Sequence, residues 1–113
     1  MPEYAYLYRG GRPPESPEQA QQVMQKWIAW MKDLAERGHM VDRGQPLERS
    51  GKIVQSANKS IIDGPFAEAK DVIGGFTLVR AKDITEASEL ARGCPILERG
   101  GHVEVRPIMQ MNM

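Results

Sequence analysis

This chain contains two segments with the apolar spacing of amphipathic helices. Each lies between segments whose side chains alternate in period two, and this order limits the folds that the chain can adopt. Residues 4–9 alternate in period two and predict a strand. Ser16 and Pro17 predict the start of a helix, and Gly38 predicts its end. The apolar residues of this helix recur at i, i+3, i+4 and i+7, which predicts one buried stripe made of Ala20, Val23, Met24, Trp27, Ile28, Met31, Leu34 and Ala35.

The second half of the chain repeats this order. Residues 72–81 predict a strand in which Gly74-Gly75 marks a bulge or a close backbone approach. Asp83 predicts the cap of a second helix, and residues 102–108 predict a final strand. Turn residues divide residues 39–62 into short strands. The whole order of elements corresponds to two split β-α-β units, so we predict an α+β, ferredoxin-like protomer with an antiparallel sheet.

Length and charge exclude several classes of protein. A chain of 113 residues is typical of one domain, here residues 1–113. The 15 basic residues balance the 15 acidic ones, so the positive field that attracts nucleic acid is missing. We find neither a signal-peptide core nor an apolar run long enough to span a membrane, and Cys94 is the only cysteine. We therefore expect a cytoplasmic protein without a nucleic-acid or membrane partner, in which Cys94 serves packing.

A sheet covered by helices on one face leaves its other face open. We expect the helices to cover Ala5, Leu7, Val103 and Val105. The open face then carries Tyr4, Tyr6, Tyr8, Glu104 and Arg106. A bare face with three tyrosines is typical of an interface. We therefore predict a homodimer in which two such faces meet and a lined cavity forms at each sheet edge.

Asp63 and His39 are the candidate catalytic residues. Asp63 lies at a Gly-Pro turn between Ile62 and Phe66, which predicts a carboxylate partly removed from water. Burial raises the pKa of a carboxyl group, and a raised pKa suits general acid/base catalysis. The alternative for Asp63 is a turn aspartate that bonds its own backbone. The alternative for His39 is a loop histidine whose charge suits the preceding helix C-terminus.

Four further residues are candidates for substrate binding: Arg106, Lys70, Glu68 and Tyr8. Arg106 is suited to hold a carboxylate or phenolate, and Lys70 to contact a bound anion. The alternatives are an ion pair of Arg106 with Glu104 and solvated loop charges at Lys70 and Glu68.

We expect no cofactor and no metal. The paired glycines form no dinucleotide or phosphate-binding fingerprint. His102 and Glu104 could form a metal pair, but a metal site needs three or four convergent ligands.

Residues 63–71 read DGPFAEAKD and residues 73–76 read IGGF, which resembles the signature of the DGPF branch of the YCII-related family. The usual core of that branch has threonine where this chain has Ala69, and glutamate where it has Asp71. The similarity extends in order and spacing over nearly the whole chain, through these further matches: Ala87, Leu90, Ala91, Cys94, Pro95 and residues 104–107.

The resemblance implies a ferredoxin-like protomer that dimerises as an α/β barrel. It implies less about activity, because one related protein is similar to a dechlorinating lyase of aromatic degradation, while others are mostly uncharacterised or occur beside alternative (ECF-type) sigma factors. Two functions are therefore predicted. The first is a cofactor-free lyase or isomerase that acts on a small anionic or aromatic molecule in a dimer cleft. The second is a non-catalytic dimer that binds a ligand or protein in a regulatory role.

Overall fold

The computed structural model of this protein describes residues 1–65 and 68–111, and Phe66 of the DGPF motif lies outside these ranges. Its elements are β1 (Glu3–Arg9), α1 (Pro17–Glu36), β2 (Met40–Asp42), β3 (Gly51–Val54), β4 (Ile61–Gly64), β5 (Ile73–Arg80), α2 (Ile84–Ala91) and β6 (His102–Pro107). Four strands form an antiparallel sheet in the order β2-β5-β1-β6. The α+β class and the ferredoxin-like strand order are thus confirmed. Strands β3 and β4 form a separate antiparallel hairpin inserted between β2 and β5.

Both helices begin at the predicted caps. The Ser16 hydroxyl accepts a hydrogen bond from the Gln19 amide at 3.0 Å, and the Asp83 carboxylate accepts one from the Glu86 amide at 2.8 Å. Each bond satisfies an amide that has no partner inside its helix. Gly38 follows α1 with φ +82°, a left-handed conformation that glycine adopts without strain.

The three tyrosines of β1 lie under the helices, so their predicted place on the open face is wrong. Tyr6 stands opposite Val105 and Tyr8 opposite Val103, and both valines pack against the core. The tyrosines are at most 6% exposed. Their large rings fill the space between sheet and helices, and hydroxyl partners make burial tolerable. Tyr6 donates to the Ala87 carbonyl oxygen and Tyr8 to the Thr77 hydroxyl.

The buried stripe of α1 differs from the predicted one. Trp30, which the periodicity did not select, and Leu34 are buried, whereas Met24 and Ile28 are exposed. The Trp30 ring stacks on Tyr6 with 5.9 Å between ring centroids, and its Nε1 donates to the Leu90 carbonyl oxygen. The apolar surface of α1 is therefore wider than the part that the sheet covers. The contacts of the Trp30 indole determine which part of that surface is buried.

Cys94 belongs to this core, as its predicted packing role requires. Its side chain is buried, and burial raises the pKa of the Cys94 thiol to about 12. The thiol therefore stays protonated at neutral pH.

The open face of the four-stranded sheet carries an apolar strip. It consists of Ala5, Leu7, Phe76 and Leu78, whose positions in β1 and β5 alternate with those of the buried residues. All four are half-buried. We call these residues the open-face strip. Ala5 and Leu7 thus lie on the face opposite to the one predicted for them, because cross-strand pairing puts the tyrosines beside Val103 and Val105.

The predicted close approach at Gly74-Gly75 is present. The Leu47 amide donates to the Gly74 carbonyl oxygen at 2.8 Å, and Pro46 forms an isolated bridge with Gly75. A Cβ atom on Gly75 would lie 2.9 Å from the Gln45 carbonyl oxygen. Glycine therefore lets the loop before the hairpin lie directly against β5.

Candidate functional site

A cleft of about 310 Å³ opens where the base of the β3–β4 hairpin meets one end of the four-stranded sheet. Its volume is at the lower end of the range for small-molecule sites, which suits a ligand of about one ring. Charged and apolar residues share its walls: Arg9, Glu48, Arg49, Ser50, Gly51, Lys52, Ile53, Gly64, Pro65, Asp71, Val72 and Ile73. This mixture can hold an apolar ring and an anionic substituent together.

Arg9 lines this cleft and is held by two hydrogen bonds. It ends β1, where the pairing with β5 shifts register between Tyr8 and Arg9. Its Nε donates to the Glu104 carboxylate at 2.8 Å, and its guanidinium also donates to the Asp71 carbonyl oxygen at 2.6 Å. These two bonds connect the sheet to the segment that follows β4, so Arg9 supports the cleft wall.

Glu104 is the central acceptor of a three-residue network on the open face. Arg106 donates to its second carboxylate oxygen at 3.1 Å, while Arg9 holds the first. Hydrogen bonds from Arg106 and Arg9 lower the pKa of the Glu104 carboxyl group below its usual value. The alternative considered for Arg106, a pair with Glu104, is therefore present in the structure, and the Arg106 side chain is otherwise exposed.

Glu104→Gln is expected to reduce stability at neutral pH and to have little effect in strong acid. Because the folded-state pKa of Glu104 is lowered, its contribution is present above the ordinary carboxyl pKa and is lost as the pH falls through the folded-state value. Urea unfolding of both proteins at pH 7 and pH 2.5 measures this difference. Glu98→Gln, in the exposed pair with Lys26, is the matched control. If wild type and Glu104→Gln differ in the free energy of unfolding by the same amount at both pH values, the lowered pKa of Glu104 is contradicted.

Arg49 and Lys52 bring two more positive charges to the cleft. The Arg49 guanidinium donates to the Gly11 carbonyl oxygen at 3.2 Å, and Lys52 forms an ion pair with Asp63. Across residues 1–65 and 68–111, no carboxylate lies within 4.0 Å of the Arg49 guanidinium. Arg49 is thus the cation of this cleft whose charge the described carboxylates leave unmatched, and it can bind an anion.

Asp63 lies on β4, next to lining residues of the cleft but outside the lining itself. Its side chain is 88% exposed and paired with Lys52 across the hairpin. The expected removal of its carboxylate from water is not found in the single chain. Its neighbour Gly64 and its partner Lys52 both line the cleft, so Asp63 remains next to it.

His39 lies far from Asp63. It is buried beside the far end of β5, where its Nδ1 donates to the Arg80 carbonyl oxygen at 2.9 Å. The cleft lies at the opposite end of β5, beside Ile73, and a strand of this length spans about 23 Å. The structure therefore does not bring the two predicted catalytic residues together in one chain.

The predicted substrate-binding residues are also separated. Tyr8 is buried beneath Trp27, with 4.8 Å between ring centroids, and burial raises the pKa of its hydroxyl far above the usual range. It therefore cannot act from the open face. Lys70 and Glu68 pair with each other at 3.6 Å and are exposed in the segment that leads to Asp71. Arg106 lies on the open face.

Sequence reasoning missed Arg9, Arg49 and Lys52. Arg9 could have been found, because the period of β1 puts it on the same face as Leu7, at the strand end. No local pattern marks Arg49 or Lys52, because only the folding of the hairpin back to the sheet brings them to Arg9.

The part of the chain that the structure describes contains neither a candidate metal site nor a helix that could span a membrane. There, no three histidine, cysteine, aspartate or glutamate side chains form a group that could hold a metal ion. Neither of the two described helices is both long and apolar enough to cross a membrane.

A second groove lies between α1 and α2. It is lined by Trp30, Asp33, Leu34, Arg37, Glu86, Glu89, Leu90 and Gly93. Its acidic residues outnumber its single arginine, and its Trp30 indole is already bonded to the Leu90 carbonyl oxygen. The hairpin cleft is therefore the better candidate for an anionic ligand.

Comparisons with known proteins agree with this architecture. The chain is similar over residues 4–112 to the model of the YCII-related domain. It is 33% identical over 97 residues to an uncharacterised protein of Rhizobium meliloti (strain 1021), covering 82% of this chain and 78% of the relative. It also resembles the structure of 5-chloro-2-hydroxyhydroquinone dehydrochlorinase (TftG) from Burkholderia phenoliruptrix AC1100, solved in complex with 2,5-dihydroxybenzoquinone. The TM-score is 0.53 at 18% identity, with 96% of this chain and 95% of that chain covered, which shows a shared fold. The family match over nearly the whole length and the sequence relative together show that this chain belongs to the YCII-related family.

Proposed function

We propose that this protein is a cofactor-free enzyme of the lyase or isomerase class that acts in the cytoplasm, as a homodimer, on a small anionic or aromatic molecule. The cleft at the hairpin base carries the proposal, because it joins Arg49 to a wall with Ile53, Val72 and Ile73. An aromatic ring fits the apolar wall, and a phenolate or carboxylate fits the guanidinium.

The resemblance to TftG supports the same class of ligand. That protein is a dehydrochlorinase of a chlorinated hydroquinone, and its structure holds a dihydroxybenzoquinone. Both are small, oxygen-substituted rings of the size that the cleft admits. The DGPFAEAKD sequence of residues 63–71 supports an assignment to the DGPF branch, and its Gly64 and Pro65 line the cleft.

The amount of exposed surface supports the dimer. The chain exposes 8110 Å², about 1,900 Å² more than the surface expected for a compact monomer of 12.7 kDa. Permanent homodimers bury about 1,000–2,500 Å² on each chain. The open-face strip is an apolar surface of the kind such an interface covers, and the chain has no net charge to oppose association. We propose that two sheets meet there as a dimeric α/β barrel.

Asp63 is the proposed acid/base group, and cations hold the substrate. Asp63 adjoins the cleft through Gly64 and Lys52, and we propose that its carboxylate exchanges a proton with a ring substituent that projects out of the cleft. Arg49 holds the anionic group inside the cleft, whereas Lys70, Glu68 and Arg106 lie outside its lining and would contact only a part of the substrate that extends beyond it. His39 lies outside the cleft of its own chain, so a catalytic role for it requires the cleft of the partner.

A ligand screen by thermal shift tests the enzyme. The panel contains hydroxyquinones, phenolates and aromatic carboxylates, each with a neutral analogue, and every hit is assayed for turnover. Arg49→Gln is expected to weaken the binding of an anionic hit at least tenfold. Arg92→Gln, at an exposed arginine that follows α2 and pairs with Glu89, is expected to leave it unchanged. Asp63→Asn is expected to lower turnover about 100-fold or more, with binding changed little. A hit whose binding and turnover both ignore Asp63→Asn overturns the role of Asp63.

The exposure of Asp63 favours a second candidate, a dimer that binds a ligand or a regulatory protein without catalysis. An exposed carboxylate paired with Lys52 is the usual state of a structural ion pair. Under this alternative the same hits bind through Arg49 and none is converted. The regulatory partner would then be sought in the sigma-factor systems to which the family resemblance points.

A further inference from the structure

Three arginines from distant parts of the chain meet at the loop that follows β1. The Arg49 guanidinium donates to the Gly11 carbonyl oxygen at 3.2 Å. The Arg99 guanidinium donates to the Arg12 carbonyl oxygen at 3.2 Å and to the Pro13 carbonyl oxygen at 2.8 Å. Because Gly11 and Arg12 are adjacent residues, the guanidiniums bonded to their carbonyl oxygens lie within roughly 10 Å of each other.

The third arginine is Arg12 itself. A Cβ atom on Gly100 would lie 3.0 Å from Nη1 of Arg12, so the Arg12 guanidinium lies against the residue that follows Arg99. The Arg12 amide also donates to the Arg99 carbonyl oxygen at 2.8 Å, which holds the two segments together. We call Arg12, Arg49 and Arg99 the arginine cluster.

The charges of the arginine cluster have no acidic partner in the part of the chain that the structure describes. Every ion pair found there within 4.0 Å involves other basic residues. Glu98 precedes Arg99 but pairs with Lys26 at 2.8 Å, and Glu48 precedes Arg49 without pairing with it. Carbonyl oxygens fix two of the guanidiniums and leave their charges in place. Three like charges at this spacing repel one another, and a bound dianion removes that repulsion.

A phosphate group matches this arrangement better than a carboxylate does. A guanidinium presents parallel N–H donors that fit two phosphate oxygens and keeps its charge at any working pH. A phosphate monoester offers three acceptor oxygens and carries about two negative charges at neutral pH. A carboxylate offers two oxygens and one charge, which a single arginine satisfies. The hydrogen bonds of Arg49 and Arg99 to the loop also reduce the side-chain freedom that binding would remove.

The arginine cluster adjoins the ligand cleft. Arg49 lines the cleft, and Arg9, which lines it as well, leads directly into the loop. The Gly10 amide donates to the carbonyl oxygen of Val72, another lining residue, at 3.1 Å. A phosphate group at the cluster can therefore belong to the same small molecule as a ring in the cleft.

We propose that the arginine cluster binds the phosphate group of an aromatic phosphate monoester whose ring occupies the cleft. The place of the ring rests on the proposed function, whereas the phosphate site rests on the cluster alone. Arg49 serves both parts of the ligand, and Arg12 and Arg99 match its second negative charge. The substrates proposed for the cleft are thereby narrowed to those that carry a phosphate group.

Isothermal titration with phenyl phosphate at constant ionic strength tests the site. The wild-type protein is expected to bind phenyl phosphate at least tenfold more tightly than benzoate, which has one charge, and than inorganic phosphate, which has no ring. Arg12→Gln is expected to weaken phenyl phosphate binding at least tenfold and to change benzoate binding less than twofold. Arg12 is exposed, so the variant is expected to keep its fold, and circular dichroism checks this.

Arg80→Gln is the matched control for the loss of one positive charge. Arg80 is exposed at the end of β5 opposite to the cleft, and no described carboxylate lies within 4.0 Å of its guanidinium. Its replacement is expected to change phenyl phosphate binding less than twofold. Equal weakening by Arg12→Gln and Arg80→Gln would show a response to net charge alone and would overturn the phosphate site.

The outcomes separate the phosphate site from the proposed enzyme. If benzoate binds through Arg49 and phenyl phosphate binds no more tightly, the phosphate site is wrong and the anionic cleft stands. If inorganic phosphate binds through Arg12 while no ring compound of the thermal-shift panel binds, the phosphate site stands and the proposed function is wrong. If neither phosphate nor any ring compound binds, both are wrong.

Discussion

Tyr6→Ala is expected to lower the free energy of unfolding by about 3–5 kcal/mol, in the range measured for truncating buried aromatic side chains. Tyr6 is fully buried, stacks on Trp30 and donates its hydroxyl hydrogen to the Ala87 carbonyl oxygen. Its removal leaves a cavity between β1 and both helices. Because the total free energy of unfolding of small domains is about 5–15 kcal/mol, this single change removes a large part of the stability.

Urea unfolding at pH 7 measures this loss of stability, and two further variants show how much of it comes from the buried ring. Tyr6→Phe retains the ring and removes the hydrogen bond, so its expected loss is smaller, about 1 kcal/mol. Ile28→Ala truncates an exposed side chain and is expected to cost less than about 1 kcal/mol. If Tyr6→Ala were no more destabilising than Ile28→Ala and instead dissociated a dimer, the tyrosines would face a partner chain.

Leu78→Asp is expected to convert the proposed dimer to a monomer, with a rise in the dissociation constant of at least 100-fold. Leu78 is half-buried in the open-face strip, opposite Ala5 of β1. In a two-fold dimer each substitution occurs twice, and a buried carboxylate without a partner is strongly unfavourable. A loss of about 2.8 kcal/mol in the free energy of association corresponds to this 100-fold change in the dissociation constant. In the monomer the new carboxylate stays in contact with water, so the fold is retained.

Sedimentation velocity between 1 and 100 µM measures this change, with circular dichroism as the check on folding. Leu97→Asp is the matched control, because Leu97 is exposed in the turn that follows α2 on the helical side of the sheet. A folded Leu78→Asp protein with the wild-type dissociation constant would show that the open face is not the interface.

The local elements of this fold could be predicted because their signals lie within a few residues. Ser16 and Asp83 cap the two helices, and Gly38 ends the first, as their side chains and backbone freedom dictate. The order of strands and helices, read with the rules for split β-α-β units, was enough to predict the sheet. The inserted hairpin appeared only as short strands, because its pairing depends on a turn and not on periodicity.

The face of the sheet could not be predicted from β1 alone. Period two shows that Tyr4, Tyr6 and Tyr8 share one face, but it is symmetric with respect to the two faces. Only the register with β6, which sets Tyr6 opposite Val105, assigns the tyrosines to the helices. The same limitation applies to α1. Its apolar surface is wide enough that periodicity also predicts a buried stripe that omits Trp30.

The candidate site shows the same division between local and tertiary information. The chemistry of residues 63–71 identified the hairpin base as the region of interest, and the cleft lies there. Arg9 comes to that cleft from β1, Arg49 from the loop before the hairpin and Asp71 from the segment after it. Residues so distant in sequence leave no local pattern, because the cleft exists only when the hairpin folds back to the sheet end.

The sequence by itself therefore determined the element types, their caps, the ferredoxin-like order and the family, since each rests on contacts or patterns within short stretches or on similarity along the chain. Only the tertiary structure decided which side of the sheet is buried and which charges meet. The physical reason is that burial and electrostatic pairing depend on cross-strand register and on long-range packing, as in the contacts of Arg9 with Glu104 and with the Asp71 carbonyl oxygen.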